Sequence, residues 1–255
     1  MKIKSVVFAD MDGTFLNDKY DYSESKPIVN QLTALGSSIV FCSSKTSNEI
    51  EFYRKAIGNS EPFIAENGAA IFIPKLYFPF SYDCSYSSGY NVIRLGASYG
   101  ALRKKLDKIK ERTAAKIVGF GDMTLEELAY DTGLPLFLAK LAQKREHDEP
   151  FLILEGRKSY VFSAIKHEGL QCTKGGRYFH LTGNTDKGKA INILKHLYCQ
   201  MFGKIETFGV GDGFNDLSML KVVDKPFFIE RKANVNSRLN AWAGILQLIG
   251  SKNIV

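Results

Sequence analysis

Ser5-Val6-Val7-Phe8-Ala9-Asp10-Met11-Asp12-Gly13-Thr14 sets an apolar run directly before two acids. The run reads as a fully buried strand, so both acids stand at its exit. A carboxylate there can act as a nucleophile and become an aspartyl phosphate, which splits one hard displacement into two easier ones. A second carboxylate two residues on can handle the protons of the leaving and attacking oxygens. Gly13 permits the tight backbone, and the acids offer hard oxygen ligands suited to Mg2+. The same residues also satisfy an ordinary capped turn, because Asp and Gly are turn formers. The motif therefore needs support from elsewhere in the chain.

Outward from this strand the pattern alternates. A helix is expected over 27–35, opened by Pro27 and closed by Gly36. A strand follows over 38–41, a helix over 47–57 ending at Gly58, and a strand over 62–65. Asn67-Gly68 then predicts a hairpin into 69–73. Alternating strands and helices imply an α/β fold, with a parallel sheet covered on both faces. Such sheets bind ligands beyond the carboxyl ends of their strands, where Asp10 stands.

The register changes after a Ser-, Tyr- and Gly-rich connector at 81–89. Strands are expected at 91–95, 116–120 and 151–154, and around Lys174-Gly175-Gly176. Helices are expected at 98–112, 124–144 and 159–167. This mixture reads as an α+β insert. The α/β pattern returns from Asp186, with a helix over 187–202, a strand over 205–210, a helix from Asp216, a strand at 227–229 and a last helix at 237–248. The division expected is a core of 1–86 and 183–255 around an insert of 87–182.

Composition bounds the rest. The 255 residues are 45% hydrophobic and 24% charged, as in ordinary soluble globular chains. No apolar run nears the roughly 20 residues of a membrane span. The short run after Met1-Lys2-Ile3-Lys4 is broken by Asp10 and Asp12, short of a signal-peptide core, so a cytoplasmic protein with no membrane partner is expected. Cys42, Cys84, Cys172 and Cys199 lack metal-site spacing and read as buried fillers. The net charge of +7 favours anionic partners. No nucleic-acid signature accompanies it, and a small phosphorylated substrate satisfies the same bias. Oligomeric state is not legible.

A second cluster follows the 205–210 strand: Gly211-Asp212-Gly213-Phe214-Asn215-Asp216. A dinucleotide fingerprint would need Gly at position 214 and finds Phe. Asp212 and Asp216 instead add carboxylates able to complete a Mg2+ shell begun by Asp10 and Asp12. Asp212 is expected as the direct ligand, and Asp216 as a helix cap that also orients its neighbours. Lys187 stands in a helix's first turn, where a cation opposes the dipole unless an anion joins it. Ser43 is either a turn serine or a hydroxyl donor to phosphate.

Taken in order, Asp10-x-Asp12, Ser43, Lys187 and Gly211-Asp212-x-x-x-Asp216 resemble the four motifs of the haloacid dehalogenase superfamily of phosphohydrolases. The match spans the chain, and the insert resembles the C2-type cap of its sugar-phosphatase branch. Ser43-Ser44-Lys45-Thr46, Glu66-Asn67-Gly68-Ala69, Arg145-Glu146-His147-Asp148-Glu149-Pro150 and Gly176-Arg177-Tyr178-Phe179-His180 look, more narrowly, like mannosyl-3-phosphoglycerate phosphatases. His147 departs from an aromatic expected in that family.

The resemblance implies a Rossmann-like three-layer core, Mg2+, and a sugar-acid phosphate as substrate, with compatible-solute synthesis as the setting. It casts Asp10 as nucleophile and Asp12 as general acid/base whose carbonyl also meets the metal, with Ser43 and Lys187 on the phosphoryl oxygens. Ser44, Lys45, Asn67, Gly68, Gly175, Gly176 and Asn215 become substrate contacts. Arg145 and Arg177 suit the glycerate carboxylate, a guanidinium binding it bidentately. Simpler readings stay open: an Arg145–Glu149 surface pair at i+4, and hairpin turns at Asn67-Gly68 and Gly175-Gly176. A glucosyl-3-phosphoglycerate substrate, a phosphomannomutase-like mutase and a phosphoacceptor module without turnover are the alternatives.

Overall fold

The computed structural model describes residues 3–230 and 236–252. In chain order the core opens with β1 (Lys4–Ala9), α1 (Lys26–Ala34), β2 (Ser38–Phe41), α2 (Ser47–Ile57), β3 (Phe63–Ala65), β4 (Ala70–Pro74), β5 (Ser85–Ser87) and β6 (Tyr90–Arg94). The insert supplies α3 (Tyr99–Thr113), β7 (Lys116–Gly119), α4 (Leu125–Thr132), α5 (Leu136–Ala142), β8 (Asp148–Glu155), α6 (Lys158–His167), β9 (Gln171–Gly175) and β10 (Tyr178–Thr182). The chain returns through α7 (Lys187–Phe202), β11 (Ile205–Gly211), α8 (Leu217–Leu220), β12 (Lys225–Phe228) and α9 (Ser237–Ser251).

The expected parallel sheet is present, in the order β12-β11-β1-β2. Strand alternation explains its three layers. Val7, Ala9, Ile39, Phe41, Phe208 and Val210 face one way, onto Val29 and Leu32 of α1 and Trp242, Ile245 and Ile249 of α9. Val6, Phe8 and Val40 face the other way, onto Ala190, Ile191 and Leu194 of α7. Every β1 residue from Val6 to Ala9 is thus buried, as its apolar run predicts. Trp242 is fully buried and donates Nε1–H to the Thr14 carbonyl at 3.1 Å, tying the last helix to the turn after β1.

A bridge between Cys42 and Ile64 joins this sheet to a second one, β3-β4-β6-β5. The strand expected at 91–95 to open the insert therefore lies on the core side: β6 pairs with β4, and Val92 packs in the core. Its short Asn91-Val92-Ile93-Arg94-Leu95 run does not show which sheet it joins. We place the first crossing from core to insert at 96–98, where Gly96 packs so closely on Ala69 and His147 that a Cβ would clash.

The insert's own sheet, β7-β8-β10-β9, is antiparallel. Leu102, Leu106 and Ile109 of α3 and Val161 and Ile165 of α6 cover one face, meeting Phe151 and Leu181. The helical stretch expected over 124–144 is two helices, broken at Gly133, which takes a positive φ, and Pro135. Strand β8 begins three residues before the expected 151, because the buried carboxylates of Asp148 and Glu149 find partners in Asn67 and Arg103. The cysteines are not uniformly buried fillers: Cys42 is buried, Cys172 intermediate, and Cys84 and Cys199 are exposed. No described helix is long and apolar enough to cross a membrane.

Candidate active site

Ala9 pairs with Val210 on one side and Phe41 on the other, so β11, β1 and β2 end at one edge. Asp10, Ser43 and Asp212 leave the sheet there together. The Asp10 amide still donates to the Val210 carbonyl at 2.9 Å, carrying the ladder one residue further. Asp216 returns to the same place from the following turn. Its Oδ2 accepts the backbone N–H groups of Asp212 at 3.0 Å and Gly213 at 2.8 Å. Gly211 makes this possible, since a Cβ there would strike the Asp216 carboxyl.

Lys187, at the first turn of α7, is 1% exposed, and its ammonium bridges Asp10 Oδ1 and Asp216 Oδ1 at 2.6 Å each. Burial favours the neutral amine, but Asp10 and Asp216 outweigh it and raise the lysine above its usual range. Burial, then the neighbouring Asp216 charge, holds the Asp10 carboxyl well above the ordinary carboxylate range, with Lys187 opposing. The cluster is thus short of positive charge. Asp10, Asp212 and Asp216 each offer an oxygen within 4.8 Å of one another. Three hard oxygen donors beside a charge deficit fit a divalent cation such as Mg2+.

Asp12 is not among these three converging carboxylates. Its carboxylate lies 2.9 Å from the ammonium of Lys45, a buried side chain that also reaches Glu49 at 3.5 Å. Lys45 is raised because Asp12 and Glu49 overcome the cost of its burial. Tyr20 lies against Lys45, with the ammonium 5.0 Å from the ring centroid, and its hydroxyl donates to the Thr132 carbonyl of the insert. Thr46 and Glu49 form a capping box that fixes the start of α2 beside this pair.

Over these groups the insert closes a cavity of about 700 Å³. Its walls include Asp10, Asp12, Lys45 and Asp212 from the core, and Arg145, Gly175, Arg177 and His180 from the insert. Glu66 carries the junction, accepting backbone N–H groups of Glu146 at 3.0 Å and His147 at 2.7 Å. Burial, opposed by Arg145, pushes its carboxyl up to about 7. Asn67, in the left-handed region at φ 58°, donates to Asp148 Oδ2 at 2.8 Å and accepts from Asn215 Nδ2 at 3.0 Å.

Residues 7–79 match the model of the haloacid dehalogenase-like hydrolases. A glucosyl-3-phosphoglycerate/mannosyl-3-phosphoglycerate phosphatase of Methanococcoides burtonii is 42% identical over 233 residues, 90% of this chain and 86% of that one. The chain belongs to the haloacid dehalogenase superfamily of phosphatases. A mannosyl-3-phosphoglycerate phosphatase of Pyrococcus horikoshii is 40% identical over 224 residues, 88% of this chain and 90% of that one. The fold of Thermoplasma acidophilum 0175 matches over the full length of both chains, with a TM-score of 0.67 at 17% identity. A superfamily subclass IIB sugar phosphatase, BT4131, matches at 0.63 and 16%, over 99% of this chain and 100% of that one. The insert is accordingly the superfamily's C2-type cap.

The superfamily motifs converge, but several surrounding residues are disposed differently from expectation. Asp216 makes no side-chain cap bond to α8 and serves the loop before it, because its carboxylate points back toward Asp212. Asn67-Gly68 is not a two-residue turn. Residues 66–69 link β3 to β4, and a Cβ on Gly68 would run into the Asp186 carbonyl. The Arg145–Glu149 pair does not form, since Glu149 binds Arg103 at 2.6 Å. Arg145 instead donates to the Ser44 carbonyl at 2.6 Å and the Ala142 carbonyl at 3.0 Å, and lies over the Phe120 ring. Arg177 is half exposed and pairs with Asp131, so a ligand carboxylate at Arg177 must compete with that acid. Gly176 takes a positive φ of 57° at the β9–β10 hairpin. His180, Asp148, Asp131 and Tyr20 were not singled out from the sequence. Of these, His180 and Asp148 fall within the 176–180 and 145–150 stretches that carry the family resemblance.

Arg145 supports one stability prediction. Its side chain is 5% exposed and lies 3.8 Å from both Glu49 and Asp148. Arg145→Ala strands these buried acids and is expected to cost about 3–5 kcal/mol. Urea unfolding checks this, and a loss below about 1 kcal/mol, the scale of a surface pair, would contradict it.

Proposed function

We propose that the enzyme hydrolyses mannosyl-3-phosphoglycerate to mannosylglycerate and phosphate, with glucosyl-3-phosphoglycerate as a second substrate. The observation that carries the substrate is the pair of relatives at 42% and 40% identity, one named for both substrates and one for the mannosyl compound, each matching across core and cap. The cavity supports it, since a polar cap wall offers contacts beyond the phosphate.

In this reading an Asp10 oxygen attacks phosphorus in line, and the bond to the glycerate oxygen breaks. Lys187 holds Asp10 Oδ1, fixing the carboxylate's orientation for attack. Asp12 gives the departing oxygen a proton, then takes one from the water that attacks the aspartyl phosphate, releasing phosphate and restoring both acids. The Lys45 ammonium, 2.9 Å from the Asp12 carboxylate, holds that side chain in place for both proton transfers. Ser43 and the loop amides offer donors to the phosphoryl oxygens. Asp10 and Asp212, with Asp216 and the Asp12 carbonyl beside them, would hold Mg2+. When bound, that ion neutralises charge on the transferring group.

Phosphate release tests the proposal with mannosyl-3-phosphoglycerate, glucosyl-3-phosphoglycerate and mannose 6-phosphate. Both glycosyl phosphoglycerates are expected to exceed mannose 6-phosphate in kcat/KM by at least about a hundredfold, because only they fill the cap-side contacts. Chelation of divalent metal is expected to abolish release, and added Mg2+ to restore it. Equal kcat/KM on all three substrates would overturn the assignment.

A further inference from the structure

The cap wall of the cavity contains an imidazole that the phosphoryl transfer does not use. His180 lies on β10 between Phe179 and Leu181, which pack into the cap's apolar cluster, so its side chain points the opposite way, toward the core. Its register partner on β8 is Pro150, which sets Asp148 diagonally across the same face. His180 Nδ1 lies 2.8 Å from Asp148 Oδ2. That oxygen already accepts from the Asn67 amide at 2.8 Å, so it is an acceptor and Nδ1 is the donor. In the tautomer that keeps its proton on Nδ1, the imidazole leaves a lone pair on Nε2.

Nε2 has no hydrogen-bond partner among the described residues and faces the space beside Gly175. A Cβ on Gly175 would stand 3.0 Å from Nε2 and 3.7 Å from Asn215 Nδ2. The Gly175 backbone lies outside the left-handed region, so conformation does not demand glycine there. What glycine preserves is a niche with an acceptor on one side and a donor on the other. Asn215 gives one amide hydrogen to Asn67 Oδ1 and keeps a second for a ligand. A hydroxyl matches both walls, donating to Nε2 and accepting from Nδ2. A carboxylate oxygen would satisfy the amide but oppose its lone pairs to that of Nε2.

The geometry points to a hydroxyl-reading subsite formed by His180, Asn215 and Gly175, with Asp148 as the positioning residue that sets the tautomer. The inference rests on the glycosyl-phosphoglycerate reading. There, one glycerate hydroxyl carries phosphate and the other carries the sugar, so the hydroxyl in the niche belongs to the sugar ring. The carboxylate is bound elsewhere in the cavity.

His180→Ala removes the acceptor, and Gly175→Ala fills the niche while leaving the Asp148–His180 pair in place. Each variant is assayed on mannosyl-3-phosphoglycerate, glucosyl-3-phosphoglycerate and p-nitrophenyl phosphate, beside a thermal unfolding curve. Loss of kcat/KM on the glycosyl substrates is expected to exceed that on p-nitrophenyl phosphate by about tenfold, chiefly through KM. Equal losses on all three substrates, or no loss on any, would overturn the subsite. If His180→Ala fails to unfold cooperatively, Gly175→Ala decides by the same criterion. Wild-type turnover of p-nitrophenyl phosphate with none of either glycosyl phosphoglycerate would instead refute the substrate reading, and the sugar hydroxyl with it.

Discussion

Asp10→Asn is expected to lower turnover by at least about four orders of magnitude, the scale seen when an activated nucleophile leaves a preorganised site. The amide is nearly isosteric, but it is far too weak a nucleophile to form the phosphoenzyme. Folding should respond in the opposite sense. Asp10 is buried beside Asp216 and pays a desolvation cost that Lys187 only partly offsets. Removing its charge therefore leaves the metal-free unfolding midpoint unchanged or higher. Steady-state kinetics and thermal unfolding on one preparation check both halves. Activity within tenfold of wild type would remove Asp10 from the nucleophile's role.

Lys187→Met is expected to damage folding and catalysis together. The ammonium is the cation between Asp10 and Asp216, and its loss leaves two buried carboxylates facing each other. Breaking a buried pair from one side costs about 3–5 kcal/mol. Turnover should fall by about two to three orders of magnitude, the range for losing one electrostatic contact in a water-excluded site. Because a divalent cation compensates the same carboxylates, Mg2+ should raise the unfolding midpoint of the variant more than that of wild type. Urea titrations with and without Mg2+ measure this, and equal stabilisation of the two proteins would contradict it.

These two residues were legible in the sequence because the fold places them by rule. A buried run followed by Asp10, and another followed by Asp212, must leave neighbouring parallel strands at one edge, and Lys187 opens the helix that packs beneath them. The cap was legible as a change of pattern, but its seam was not. Residues 90–94 read equally well as a strand of either sheet, and pairing with β4 decided it. Roles that depend on docking were hidden for the same reason. Arg145 finds Ser44 across 101 positions and Asn67 finds Asp148 across 81, distances over which no local pattern carries information. Arg177 and Arg145 have the chemistry to bind a carboxylate, yet both are already engaged by groups of this chain. His180 carries no local signal either, since its second ring nitrogen acquires meaning only beside Gly175 and Asn215.

If Asp10 receives the phosphoryl group while Asp12 serves the protons, Asp12→Asn with p-nitrophenyl phosphate isolates the first step. The phenolate leaves without needing a proton, whereas attack of water on the phosphoenzyme still needs the missing base. Rapid mixing is predicted to give a burst of p-nitrophenolate approaching one per enzyme. After an acid quench, the peptide containing Asp10 should carry one added phosphoryl group. Linear release without a burst, with an unmodified Asp10 peptide or the phosphoryl group on another residue, would contradict the account.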